Sequence, residues 1–147
     1  MSKDRLKSLL AAVAGIDRML ILPHNDPDPD AIAGALAMRY LLNKRTSIET
    51  QVVYNGLIGR AENKALVNYL DWPLQPLNSL NLPPQIPIVL IDTQPCAGNN
   101  ILPMGSKVIV VIDHHPRCEP TSSAKFTDIR TEVGGAICSH KHESEAE

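Results

Sequence analysis

Two stretches of the chain, IVLI at residues 88–91 and KVIVVI at 107–112, are continuous runs of β-branched residues and leucine. A strand with one wet face alternates apolar and polar residues. A run without alternation belongs to a strand buried on both faces, as in the middle of a parallel sheet. Parallel strands need crossovers, and helical patterns stand between the strand-like runs. Residues 3–14 read as an amphipathic helix, and RMLIL (18–22) as a short buried strand ending at Pro23. Residues 31–44 read as a helix apolar on most faces, IETQVVY (48–54) as a second strand, and 60–70 as a third helix. The Pro- and Asn-rich connector DWPLQPLNSLNLPPQIP holds about one turn of helix at most. Alternation of this kind predicts an α/β fold, a doubly wound and mainly parallel sheet with helices on both faces. The domain is expected to span 1–137, followed by a polar, disordered tail over 138–147.

The composition narrows the function classes. With 147 residues, 44% of them apolar, the chain can bury a core of its own. A formal net charge of −2 leaves no basic excess for non-specific nucleic-acid binding. One Phe, three Tyr and one Trp are too few for a platform that stacks single strands. No run approaches the ~18 apolar residues of a membrane span. The N-terminal LLAAVAGI is short, is closed by Asp17 and Arg18, and fits a helix better than a signal peptide. Cys96, Cys118 and Cys138 are odd in number and form no CxxC pair, so they read as reduced thiols of a cytoplasmic protein. Cys138, His140 and His142 make a poor zinc pattern with Cys118 and fit a disordered end.

Each of the three clearest apolar runs ends in a polar cluster: LIL in PHNDPDPD, IVLI in DTQP, VIVVI in DHHP. Ligands of open parallel sheets bind off the carboxyl ends of the strands, so side-by-side strands would bring all three clusters to one edge. Pro27 and Pro29 push Asp26 and Asp28 out of the α region and hold the first cluster extended, with Asp28 and Asp30 projecting together. Asp30 is placed to cap the helix that follows. Taken singly, these clusters could be an acidic turn, an Asp-Thr turn and a solvated His pair. Taken together, His24, Asp28, Asp30, Asp92, Asp113, His114 and His115 offer mixed oxygen and nitrogen donors, which suit Mn²⁺, with Mg²⁺, Co²⁺ or Fe²⁺ as alternatives. So many acids suggest two ions sharing a bridging carboxylate. Two ions about 4 Å apart generate a nucleophilic hydroxide and clamp a transferring phosphoryl group. The chemistry favoured is hydrolysis of a phosphate ester or anhydride.

At these residues the chain resembles the DHH phosphoesterase superfamily. HNDPDPDAIAG is similar to its first motif, VLIDTQP to its second, and VIDHHP to the signature that names it; DIRTEVGGAI (128–137) is similar to a following segment. The superfamily includes a single-strand DNA exonuclease, nanoRNases, cyclic-dinucleotide phosphodiesterases and manganese pyrophosphatases. The resemblance implies that His24 and Asp28 hold one metal ion, that Asp30 and His114 hold the other, and that Asp92 bridges them. It implies that His115 contacts the scissile phosphate while Asp113 orients the His pair. The implied activity is Mn²⁺-dependent hydrolysis of phosphodiester bonds in short oligonucleotides or cyclic dinucleotides, or of a nucleoside phosphate. A homodimer is compatible with it, and a membrane partner is not expected. Family members add a further metal-binding aspartate and a smaller substrate domain after the signature. The chain is therefore expected to be an N-terminal catalytic domain truncated before both. The alternatives are a non-catalytic metal- or nucleotide-binding module and a pyrophosphatase-like hydrolase.

Overall fold

A computed structural model describes residues 2–118 and 123–131. In chain order the elements are α1 (Lys3–Ala12), β1 (Arg18–Pro23), α2 (Pro29–Arg45), β2 (Glu49–Tyr54), α3 (Ala61–Tyr69), β3 (Gln75–Pro76), β4 (Pro87–Ile91), β5 (Lys107–Asp113) and β6 (Phe126–Ile129). The strands form one six-stranded sheet of order β3-β2-β1-β4-β5-β6. Every pairing in it is parallel. The α/β, doubly wound class read from the sequence is the observed one. The sequence-derived tail and the segment after residue 131 lie outside the described residues.

Alternate strand residues feed two cores. On one face Met19, Ile21, Val52, Val89, Ile91 and Val110 pack with Leu9, Ile32, Ala35, Met38, Leu42 and Val67, so α1, α2 and α3 all cover this side. The small residues Ala31, Gly34 and Ala35 on the buried stripe of α2 let the helix lie close to the strands. On the other face Leu20, Leu22, Val53, Ile88, Leu90 and Val111 pack with Ile86 and with partly buried Leu77, Leu80, Leu82, Leu102 and Ala124. There the cover is connecting chain with a 3-10 turn at Leu77–Ser79, rather than the expected helices, among the described residues. Proline and asparagine keep that connector from forming α-helix, yet its leucines still bury their side chains.

β1 pairs with β2 on one side and with β4 on the other. The chain therefore winds outward from β1 in one direction, then returns and winds from β4 in the other. The crevice between β1 and β4 is the topological switch point, where sheets of this kind bind ligands.

Two strands escape a reading of the sequence. β3 has only two residues, and β6 is the four-residue edge segment FTDI, whose Phe126 and Asp128 are buried. The buried Asp128 carboxylate is paired with Arg5 at 2.8 Å and with Arg130 at 3.2 Å. Arg5 also donates to Thr127 O at 2.8 Å and lies 5.0 Å from the centre of the Phe126 ring. One arginine thus pins α1 to the sheet edge. Arg5→Ala is expected to lower the unfolding free energy by about 1–2 kcal/mol in urea melts, since Arg130 still serves Asp128. The α1 amides should then exchange with solvent well before those of β4.

Candidate metal centre

The register sets the site. Pro23 of β1 lies opposite Ile91 of β4, and Ile91 lies opposite Ile112 of β5. The next residues, His24, Asp92 and Asp113, therefore leave the sheet at one level. Asp92 turns sharply as it does so, with φ at 58°. Its backbone N–H still donates to Ile112 O at 2.9 Å, so the turn costs no ladder bond. The left-handed conformation costs a residue other than glycine about 1–2 kcal/mol, less for aspartate than for most.

The turn swings the Asp92 carboxylate into the middle of the cluster, where the residue is 4% exposed. His114 Nε2 lies 3.0 Å from Asp92 Oδ1, and His24 Nε2 lies 3.7 Å from Asp92 Oδ2. His24 Nε2 is also 4.0 Å from Asp28 Oδ1, and His115 Nδ1 is 3.5 Å from Asp92 Oδ1. Two donor groups result, each with its ligand atoms within 4.8 Å of one another: His24, Asp28 and Asp92 in one, Asp92, His114 and His115 in the other. They share Asp92.

These residues fit a divalent cation. Asp92 Oδ1 is buried and has no hydrogen-bond partner, although His114 and His115 lie beside it and His24 beside Oδ2. Burial pushes the Asp92 carboxyl above its ordinary range, against the pull of His114, His24 and His115. A buried carboxylate in that state needs positive charge beside it. Adjacent ligands on an ion with bonds of about 2.1 Å stand about 3.0 Å apart, the spacing the His114–Asp92 pair has. The His24 tautomer agrees, because its Nδ1 donates to Asn25 O at 2.7 Å and so leaves the Nε2 lone pair toward the cluster.

Asp113 serves the histidines from behind. It is fully buried, and its Oδ1 accepts from His114 N at 2.8 Å, from His115 N at 3.3 Å and from His115 Nδ1 at 2.8 Å. The last bond holds the His115 ring and is the main reason its pKa is raised, which favours the protonated ring. Asp113 Oδ2 accepts from Gln94 Nε2 at 2.7 Å. Gln94 also donates to Pro116 O at 3.0 Å and accepts from Cys118 N at 3.0 Å. One buried amide therefore ties the loop after β4 to the loop after β5. Asn100 Nδ2 donates to Thr93 Oγ1 and Gln94 O, both at 2.7 Å, and Asn25 N donates to Asn99 O at 2.6 Å, which ties in the loop after β1.

The first cluster is built differently from its sequence reading. Asp26 is not extended: its φ is 53°. Its N–H donates to Asn55 O at 3.0 Å, and its Oδ1 accepts from Leu57 N at 2.6 Å. Those two bonds outweigh the preference imposed by Pro27. Gly56, itself at φ 82°, is required beside it, since any Cβ there would run into the Asp26 carboxylate. Asp28 is extended, but it and not Asp30 is the N-cap of α2, accepting from Ala31 N at 2.9 Å. The helix begins earlier than expected because Pro29 is favoured at a first helical position. Asp30 sits in the first turn of α2, part-buried, outside both donor groups.

The cysteine reading also needs correction. Cys96 and Cys118 are joined in a disulfide with Cα atoms 6.2 Å apart. They are 22 residues apart in sequence, but they leave the neighbouring strands β4 and β5 at the same edge. The thiol argument for a cytoplasmic location falls with this pairing. Among the described residues no helix is long and apolar enough to cross a membrane. Gln94, Asn25, Asn55 and Asn100 were missed because amides in loops look like ordinary turn residues. The only signal was the position of Gln94 within DTQP, directly beyond a strand end.

A parallel α/β sheet with an Asp/His donor cluster shared across its switch point has the donor set of a candidate metal-binding domain. The chain belongs to the DHH family: the model of the DHH family, N-terminal domain, matches residues 18–140. It is also 38% identical over 117 residues to an uncharacterized protein of Methanocaldococcus jannaschii, a match covering 79% of this chain and 23% of that relative. The chain thus spans about a quarter of the relative's length. Membership places it in a phosphoesterase-type superfamily whose members depend on metal ions.

Two outcomes are expected. Metal binding at Asp92 requires its carboxyl ionised, and burial pushes that carboxyl above its ordinary range, so binding weakens as pH falls. Titrations with Mn²⁺ between about pH 7 and pH 5 should show affinity falling as protons compete for the carboxylate. A flat profile would remove Asp92 from the ligand set. Replacing Cys96 and Cys118 together by Ser should cost about 3 kcal/mol in urea melts, from loop closure across the 22-residue separation. The same variant should bind Mn²⁺ severalfold more weakly, because the loops carrying Asp92 and His114 lose their covalent tie.

Proposed function

We propose that the chain is a metal-dependent phosphoesterase domain that hydrolyses phosphodiester bonds of short oligonucleotides or cyclic dinucleotides. The observation that carries the reading is the sharing of Asp92 between two donor groups at the switch point. His24, Asp28 and Asp92 would hold one ion. Asp92 and His114 would hold a second, with Asp30 the further ligand that the family resemblance suggests. Mn²⁺ suits this oxygen and nitrogen donor set, and Mg²⁺, Co²⁺ or Fe²⁺ are the alternatives. Bound ions would supply an activated water and neutralise the phosphate oxygens.

The chain's own residues do the rest. Asp113 favours the protonated His115 ring and aims it, with Nδ1 committed and Nε2–H left to donate to a phosphate oxygen. Gln94 holds Asp113 in place, so the donor cannot swing away as charge develops. Asp28, by capping α2, fixes the loop on which His24 stands. A second reading, a module that binds metal and nucleotide without turnover, is motivated by Asp30 standing outside both donor groups.

Hydrolysis of a 5′-phosphorylated dinucleotide in Mn²⁺, repeated in excess chelator and with inorganic pyrophosphate as a competing substrate, tests these readings. Chelator-sensitive cleavage of the dinucleotide is the expected result, with His115→Ala slower by about 10²–10³-fold and Asp113→Asn by about 10–100-fold. Tight nucleotide binding with no cleavage at saturating Mn²⁺ would support the binding module instead. Cleavage of pyrophosphate alone would support a pyrophosphatase.

A further inference from the structure

Beside the metal donors lies a cavity of 480 Å³, lined by His24, Asp26 and Asp28 from the loop after β1, by Leu57 and Arg60 from the loop after β2, and by Asn63 of α3. That volume is in the range that holds a small organic ligand, about 300–1,000 Å³. Asn63 is only 3% exposed, and its Nδ2 donates to Pro27 O at 3.0 Å. A carbonyl can only accept, so this bond fixes which end of the amide is which. Asn63 Oδ1 is then a buried acceptor, and no donor reaches it. An acceptor left in that state is costly unless a ligand or water completes it.

The rest of the wall says what kind of ligand. Asp26, Asp28 and Asn63 Oδ1 make it rich in acceptors, and Arg60 is its cation. Asp26 Oδ1 is already taken by Leu57 N. Such a wall repels a second phosphate and favours hydroxyl and amino groups. Leu57 is 77% exposed and Arg60 is exposed, which offers an apolar surface and a planar guanidinium to a base. We propose that this cavity is a nucleoside subsite in which Asn63 Oδ1 accepts a hydrogen bond from an O–H or N–H of the nucleoside attached to the phosphate at the metal centre. Asn63 is thereby a specificity-determining residue. The inference rests on the phosphoesterase reading.

Calorimetry of the chain in Mn²⁺ tests it with four probes: adenosine 5′-monophosphate, its 2′-deoxy analogue, ribose 5-phosphate and inorganic phosphate. Adenosine 5′-monophosphate should bind at least about tenfold more tightly than inorganic phosphate. The analogue and ribose 5-phosphate show whether the donor is a sugar hydroxyl or a base amine. In Asn63→Leu the preference over phosphate should vanish while phosphate affinity stays. Asn63→Asp keeps an acceptor but loses the tether to Pro27, and should keep the preference. Equal loss in both variants would assign Asn63 to holding Pro27 and overturn the subsite. So would a preference that survives Asn63→Leu. In the wild-type chain, phosphate binding with no preference for nucleotide overturns the subsite alone. Binding of none of the four overturns the phosphoesterase reading with it.

Discussion

The parallel pairing of β4 with β1 on one side and β5 on the other is the constraint from which the site follows. Parallel strands start and stop at the same edge, and the register aligns Pro23, Ile91 and Ile112. Were β4 antiparallel, Asp92 would emerge at the opposite edge, far from His24 and His114. The pairing in turn depends on strands apolar on both sides, because each must bury one set of side chains under the helices and the other under the connector. Core packing and ligand placement are therefore one property here.

The crowding of acids is resolved by giving each a separate partner. Asp26 is held by the Leu57 amide, Asp28 by the Ala31 amide at the start of α2, and Asp113 by Gln94 and the His115 ring. Asp92 faces His24, His114 and His115, and its Oδ1 is buried and short of a hydrogen bond. The repulsion implied by the composition is thus gathered at a carboxylate that a cation can neutralise. The prolines contribute by starting a helix at Pro29 rather than by holding the whole segment straight.

The strands of the middle of the sheet were legible because unbroken apolar runs have few other meanings, and the convergence of the three clusters followed from strand direction alone. Less was legible where partners are distant in sequence. Asp26 takes its conformation from Asn55 and Leu57, some thirty positions on. The Cys96–Cys118 pairing depends on β4 and β5 being neighbours, which spacing alone does not reveal. β6 is short and alternating, and its aspartate reads as a surface residue until Arg5 is seen beside it. Gln94 is marked in the sequence only by its place in DTQP beyond a strand end, since a buried amide that bridges two loops has the same composition as a turn.

The backbone at Asp92 sets folding and chemistry against each other at a single position. A residue held at φ 58° would be more comfortable as glycine, which adopts that conformation freely and would take no charge into the interior. Selection for a sturdier fold alone would thus erase the carboxylate on which both donor groups depend. Keeping aspartate there means accepting a weaker fold, and a cation bound at it would return the lost stability, so that the domain would be most rigid when loaded.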